Sequence, residues 1–345
     1  MTMTLATTNT AVEALALVQS LQKRLVQRLS KLPPESSSTR FVPVDWLRAK
    51  GSFGGGTRFS ASDPAVFNRA SVNISQVQYE NDPSKKLGSA TAISTIVHPS
   101  NPHAPSMHMH ISWTVMKAGT GYWRIMGDLN PSIVIASDRE ATEAAFRAAV
   151  GPKLYDYGTE QGGRYFFIPA LGRHRGVAHF YLEEFNSQDF TADFALAERF
   201  GQTLIDAYAS IVGRILRNPA PISTSDRRQQ LDYHSLYFLQ VLTLDRGTTS
   251  GLLVHDENDV GILGSLPSHV DKKLLESWVP RLPKVQQALL CSLVQALPSG
   301  ESSHVDDAVK ARIATVIREF YKRHPQAEEL LARGDRLPPT QQNHQ

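Results

Sequence analysis

Residues 72–77, 90–97, 108–115 and 122–126 alternate apolar with polar side chains or carry β-branched and aromatic residues, the pattern of half-buried strands. Each lies close to the next and is joined to it by turn-forming residues, so consecutive strands pair antiparallel. One set of alternate side chains then enters a core, and the other set faces whatever covers the sheet.

The stretch from His98 to His110 joins two of these segments and holds four imidazoles (His98, His103, His108, His110) and three prolines (Pro99, Pro102, Pro105). A stiff turn carrying groups that titrate near neutrality suits proton transfer, metal binding or anion binding. His108 and His110 are alternate residues and share one side of a strand. No acidic residue stands beside them to complete a metal site, so no metal is expected; the imidazoles hydrogen-bond a substrate or line a core.

Helical spacing marks 11–32, ended by Pro33-Pro34, then 138–150 and 191–216. Residues 226–231 read as helical or coiled, and 233–244 as apolar and β-prone enough for a central strand, with a buried helix as the alternative. Amphipathic helices over 285–297 and 306–323 read as a separate helical tail, serving as a dimer element, a lid or a layer packed on its own domain. The segment Gly51-Ser52-Phe53-Gly54-Gly55-Gly56 reads as a flexible, close-approach loop.

With 345 residues, 41% of them hydrophobic and 20% charged, the chain buries a substantial core. The net charge of +3, from 36 basic and 33 acidic residues, makes no case for nucleic acid as a partner. Cys291 is the single cysteine, which excludes an intrachain disulfide and a multi-cysteine zinc site and fits a reducing, cytoplasmic setting. No apolar run approaches the roughly 18 residues of a membrane span, and no signal-peptide pattern opens the chain, so no membrane association is expected.

Asp128 and Asp245 each end an apolar or aromatic run at a turn signal, which projects them from strand ends over the sheet. Against this, an Asp among Gly, Asn and Pro is commonly a turn former, and Asp245-Arg246 is commonly a structural ion pair. No Walker lysine loop, Gly-x-Gly-x-x-Gly, Gly-x-Ser-x-Gly or His-Glu-x-x-His is present.

Several motifs in one order resemble the oxygen-dependent coproporphyrinogen III oxidases. They are Asp45-Trp46, Gly54-Gly55-Gly56-Thr57-Arg58, Asn73-Ile74-Ser75, His98-Pro99-Ser100-Asn101-Pro102-His103, Gly127-Asp128-Leu129-Asn130-Pro131, Arg175-Gly176, Asp245-Arg246-Gly247-Thr248 and Ser265-Leu266-Pro267. The resemblance spans about residues 40–270. It implies an α+β fold with a large antiparallel sheet flanked by helices, a homodimer, and a cleft over the sheet. The chain then divides into an N-terminal helix and linker (1–40), a catalytic domain (41–283) and a helical extension (284–345).

The implied chemistry uses dioxygen as co-substrate without an organic cofactor, converting propionates of a reduced tetrapyrrole to vinyl groups. The resemblance places Ser94 at a substrate-binding serine, His108 at a proton donor, Asp128 at a substrate-facing aspartate, and Asp245 with Arg246 at the pair acting on the pyrrole. His98, His110 and Ser112 are the further substrate-binding candidates.

The departures bear on the substrate. Ser112 stands where the family has an arginine, and Asp256-Glu257-Asn258 replaces a Gly-Gly-Arg turn. A charge-assisted hydrogen bond contributes about 1.5–3 kcal/mol, so losing two weakens a tetracarboxylate by on the order of a hundredfold or more. The expectation is therefore an oxidase or oxidative decarboxylase acting on a smaller pyrrole- or indole-type substrate in specialised metabolism. The alternatives are a genuine coproporphyrinogen III oxidase whose arginines come from elsewhere (Arg124, Arg173 or Arg175) and a non-catalytic ligand-binding homologue.

Overall fold

The computed structural model describes residues 3–32, 40–255, 257–337 and 343–344; Pro33-Pro34 and Asp256 fall outside them. Helix α1 (Asn9–Ser30) precedes strands β1 (Val42–Leu47), β2 (Gly54–Asp63), β3 (Phe67–Gln78), β4 (Leu87–Pro99), β5 (Ser106–Met116) and β6 (Gly121–Asn130). Helices α2 (Ala136–Val150) and α3 (Pro152–Tyr165), the short hairpin β7 (Phe167–Ile168) and β8 (Arg173–His174), and strand β9 (Ala178–Phe185) follow. One seven-stranded sheet runs in the order β1-β2-β3-β4-β5-β6-β9, every neighbour antiparallel. The α+β class is present, and the strands expected over 72–77, 90–97, 108–115 and 122–126 fall within β3, β4, β5 and β6.

Alternation along the strands divides the sheet into two unlike faces. On β5, Met107, Met109, Ile111 and Trp113 enter a core shared with α1 and with α4 (Phe190–Arg217). Their neighbours His108, His110, Ser112 and Thr114 face the other way and line a cavity. On β6, Trp123, Ile125 and Leu129 join that core while Tyr122, Arg124 and Met126 line the cavity. A period of two thus places a hydrophobic floor under a polar ceiling in the same strands. Gln22 of α1 is buried on the apolar side, where its side-chain amide donates to the carbonyls of Thr57 (2.8 Å) and Val72 (2.9 Å).

The polar face is covered by α5 (Thr224–Thr243), α6 (Arg246–Val254) and α7 (Asp259–Ile262), and α8 (Lys272–Trp278), α9 (Lys284–Ala296) and α10 (Asp307–Arg323) pack on those helices. The strand expected over 233–244 is the second half of α5. Its start is fixed by a reciprocal cap, in which the Ser223 hydroxyl accepts from Asp226 N–H (3.1 Å) and the Asp226 carboxylate from Ser223 N–H (2.8 Å). Tyr233, Leu236, Tyr237, Phe238, Leu239, Val241 and Leu242 are all buried, as are the polar His234, Ser235, Gln240 and Thr243 between them, so this half of the helix is enclosed on every side. The tail helices share that core: Leu289, Leu293, Ile313 and Ile317 pack in one cluster with Tyr237 and Leu242. Gln286 of α9 also donates to the Thr243 carbonyl (2.9 Å).

Of the segment expected as a loop, residues 51–53 form a turn and the triple glycine opens β2. Close approach is nevertheless its physical role: a Cβ on Gly54 would lie 2.0 Å from the Gln76 carbonyl oxygen, and one on Gly56 2.0 Å from that of Ile74.

Candidate active site

A cavity of about 280 Å³ lies between the polar face of the sheet and the helices that cover it. Ser94, His108, His110, Ser112 and Asp245 all line it. Strand register explains the grouping, because Ser94 pairs with His110, Ser112 with Arg124, and His108 with Asp128.

Asp128, expected to face substrate from a strand end, lies within β6, is 0% exposed and does not line the cavity. It sits behind His108. Its Oδ1 is 2.7 Å from His108 Nδ1, and its Oδ2 accepts from Arg175 (2.5 Å) and the Asn130 amide (2.6 Å). Burial alone would raise the carboxyl pKa, but Arg175 and His108 outweigh it and hold Asp128 well below the usual carboxylate range. An ionised carboxylate only accepts, so His108 donates from Nδ1 and leaves Nε2 for any other partner. Arg175 is fixed in turn by Gln240 (2.6 Å) and by the faces of Phe166 and Tyr237, 4.6 and 5.0 Å from its guanidinium carbon.

Asp245 is the N-cap of α6 and not the end of a strand. Its Oδ2 accepts from Thr248 N–H (2.7 Å) and its Oδ1 from the Tyr165 hydroxyl (2.9 Å). Tyr165 lines the same cavity, and its phenol is pushed well up by burial and by Asp245, so it remains a proton-bearing donor. Arg246 turns away: its guanidinium donates to the Glu328 carbonyl (2.9 Å) and does not line the cavity. The first turn of α6 directs successive side chains to different sides, so Asp245 and Arg246 part company. His98 also lies off the cavity; it is buried between Ser106 Oγ (2.8 Å) and the Ser265 carbonyl (3.1 Å), where burial and neighbouring His234 keep it neutral.

Of the three arginines offered as replacements for lost cations, Arg173 is exposed, Arg175 is committed to Asp128, and Arg124 lines the cavity. Arg124 is gripped by Glu183 through Nε to Oε2 (2.7 Å) and a terminal nitrogen to Oε1 (2.9 Å), and the Tyr181 hydroxyl also donates to Glu183. His110 bonds Ser112 Oγ at 3.1 Å, and burial followed by the charge of Arg124 pushes its pKa well down.

Tyr165, Gln240 and Glu183 carry no sequence signal, since they come from α3, α5 and β9 and meet the site only through packing. Arg124 did carry one, the same two-residue phase as Asp128 on β6.

A family model for coproporphyrinogen III oxidase matches residues 13–280, which include the whole sheet and every helix that lines the cavity. The chain belongs to the coproporphyrinogen III oxidase family. Membership supports an oxidative decarboxylase type of activity on a small molecule. The family match ends before α9, so α9 and α10 lie beyond it. Among the described residues, no helix is long and apolar enough to cross a membrane, and no group of three or more His, Cys, Asp or Glu could hold a metal ion.

Proposed function

We propose that this member of the coproporphyrinogen III oxidase family is a dioxygen-dependent oxidative decarboxylase of a smaller electron-rich N–H ring substrate with fewer carboxylates than a tetrapyrrole. The observation that carries the reading is the engagement of both cavity arginines with protein carboxylates, Arg124 with Glu183 and Arg175 with Asp128. A substrate carboxylate has to compete with a protein carboxylate already in place, bidentate at Arg124 and single at Arg175.

In such a reaction the carboxylate-bearing side chain loses carbon dioxide, two electrons and a proton as a new C=C bond forms. With one further proton, dioxygen becomes hydrogen peroxide. Asp245 is placed to accept the ring N–H and make the ring easier to oxidise, with Tyr165 steadying its other oxygen. His108 moves the proton through Nε2, and Asp128 holds the imidazole in that tautomer without touching substrate. Arg246 has no contact role in this reading. The test is to incubate the protein in air with indole- and pyrrole-propionates and, separately, with coproporphyrinogen III, following carbon dioxide, peroxide and product mass. Turnover of coproporphyrinogen alone would overturn the smaller-substrate reading.

One observation favours that second reading. Arg124 is the register partner of Ser112, so a cation stands one strand away from the position where the family's arginine is missing. If the substrate displaced Glu183, Arg124 would meet a propionate from β6.

A further inference from the structure

Asn343 and His344 lie beyond the family match, and both line the cavity. Their seats are specific. The Asn343 amide donates to the Tyr122 hydroxyl (2.8 Å), and Asn343 is only 8% exposed. His344 Nδ1 is 3.2 Å from the Tyr79 hydroxyl, its carbonyl accepts from the Lys85 ammonium (2.8 Å), and its ring stands edge-on to Tyr79 and His255, with centroids 5.7 and 5.5 Å apart. These contacts tie the segment to β6, to the β3–β4 connection and to the end of α6.

Register locates the seat within the cavity. Tyr122 pairs with Thr114, whereas Asp128 pairs with His108, and both Thr114 and His108 line the cavity. Six residues of strand separate the two ends, roughly 20 Å at the usual rise. The proton-transfer end and the Asn343–His344 end are therefore opposite ends of one long trough. A few hydrogen bonds hold the segment there against the entropy of ordering it, a balance that permits release.

We propose that Asn343 and His344 form a removable end wall of the substrate cavity and set the length of ligand it accepts. With the wall seated, a ligand that occupies the His108 end fits; with it unseated, the whole trough is open. The proposal rests on the reading of this cavity as the substrate site, but it is tested by binding and not by turnover, so the two fail separately.

Two monoanions of different length serve as probes, indole-3-carboxylate and 8-anilinonaphthalene-1-sulfonate, titrated against the full chain, the chain ended after Leu337, and the full-length double variant Asn343→Ala with His344→Ala. Both altered proteins are expected to bind the longer probe about tenfold more tightly, with less than about a twofold change for the shorter one, the pattern of a blocked state relieved. Adding Ala92→Trp, which fills the middle of the trough, should remove that gain. Unchanged affinity for the longer probe, or equal gains for both, would overturn the proposal. So would a gain that survives Ala92→Trp, because the segment would then uncover some other surface.

Discussion

His108 and Asp128 face each other across β5 and β6, with Nδ1 and Oδ1 2.7 Å apart, and only the histidine reaches the cavity. The aspartate lies behind it, paired with Arg175.

Replacing Asp128 with Asn leaves the Arg175 charge buried and uncompensated. Breaking a buried pair in this way costs about 3–5 kcal/mol. Urea unfolding should register a loss of that size, and Asp128→Asn combined with Arg175→Met should recover much of it. A loss below about 1 kcal/mol in the single variant would mean that the pair is not desolvated.

Asp245→Asn retains a side-chain oxygen for Thr248 N–H, so stability should change little, whereas Asp245→Ala should cost about 1 kcal/mol as the cap is lost. Turnover of whichever substrate the aerobic screen identifies should disappear in both. Activity retained by Asp245→Asn would remove the carboxylate from the chemistry.

Glu183→Gln should remove the carboxylate charge that Arg124 faces and so favour an incoming anion there. Fluorescence titration with coproporphyrin III, a tetracarboxylate, should show affinity rising by about tenfold, the factor for one charge-assisted hydrogen bond of roughly 1.5 kcal/mol. An unaltered affinity would show that Arg124 is not reached by ligand carboxylates.

Acid sensitivity should begin with histidines. His234 is pushed down to about 3 by burial and by neighbouring His269, and His179 to about 4 by burial, whereas an unfolded chain protonates its histidines near 6.5. Between those limits the unfolded state binds more protons, so stability falls as pH drops below about 6.5 and keeps falling towards 4. Asp128 adds its own loss only lower, because its depressed pKa preserves its contribution until pH falls below about 4. Urea midpoints between pH 7.5 and 4.5 should decline, and His234→Gln should flatten the decline.

Gly54→Ala should destabilise severely, since its Cβ would overlap the Gln76 carbonyl at a backbone φ of +95°. A thermal midpoint within a degree or two of the parent would show that β2 and β3 can separate there at little cost.

The strands of the sheet, the cavity-facing phase of His108, His110 and Ser112, and the family itself were legible in the residues, because alternation and motif order are local properties of a chain. The run over 233–244 was not, since a helix enclosed on all sides loses the periodicity that distinguishes it from a central strand. Motif proximity also misplaced Arg246 and His98, because adjacency in sequence says nothing about which side of a helix or turn a side chain leaves.

By itself, the sequence determined which chemistry-bearing groups the chain owns and which strand face carries them. Only the tertiary structure decided which of those groups line the cavity. It buried Asp128 behind His108, occupied Arg124 with Glu183, and brought Asn343 and His344 to the end of the cavity. Exposure and ion pairing arise from contacts between segments far apart along the chain, and no local pattern encodes them.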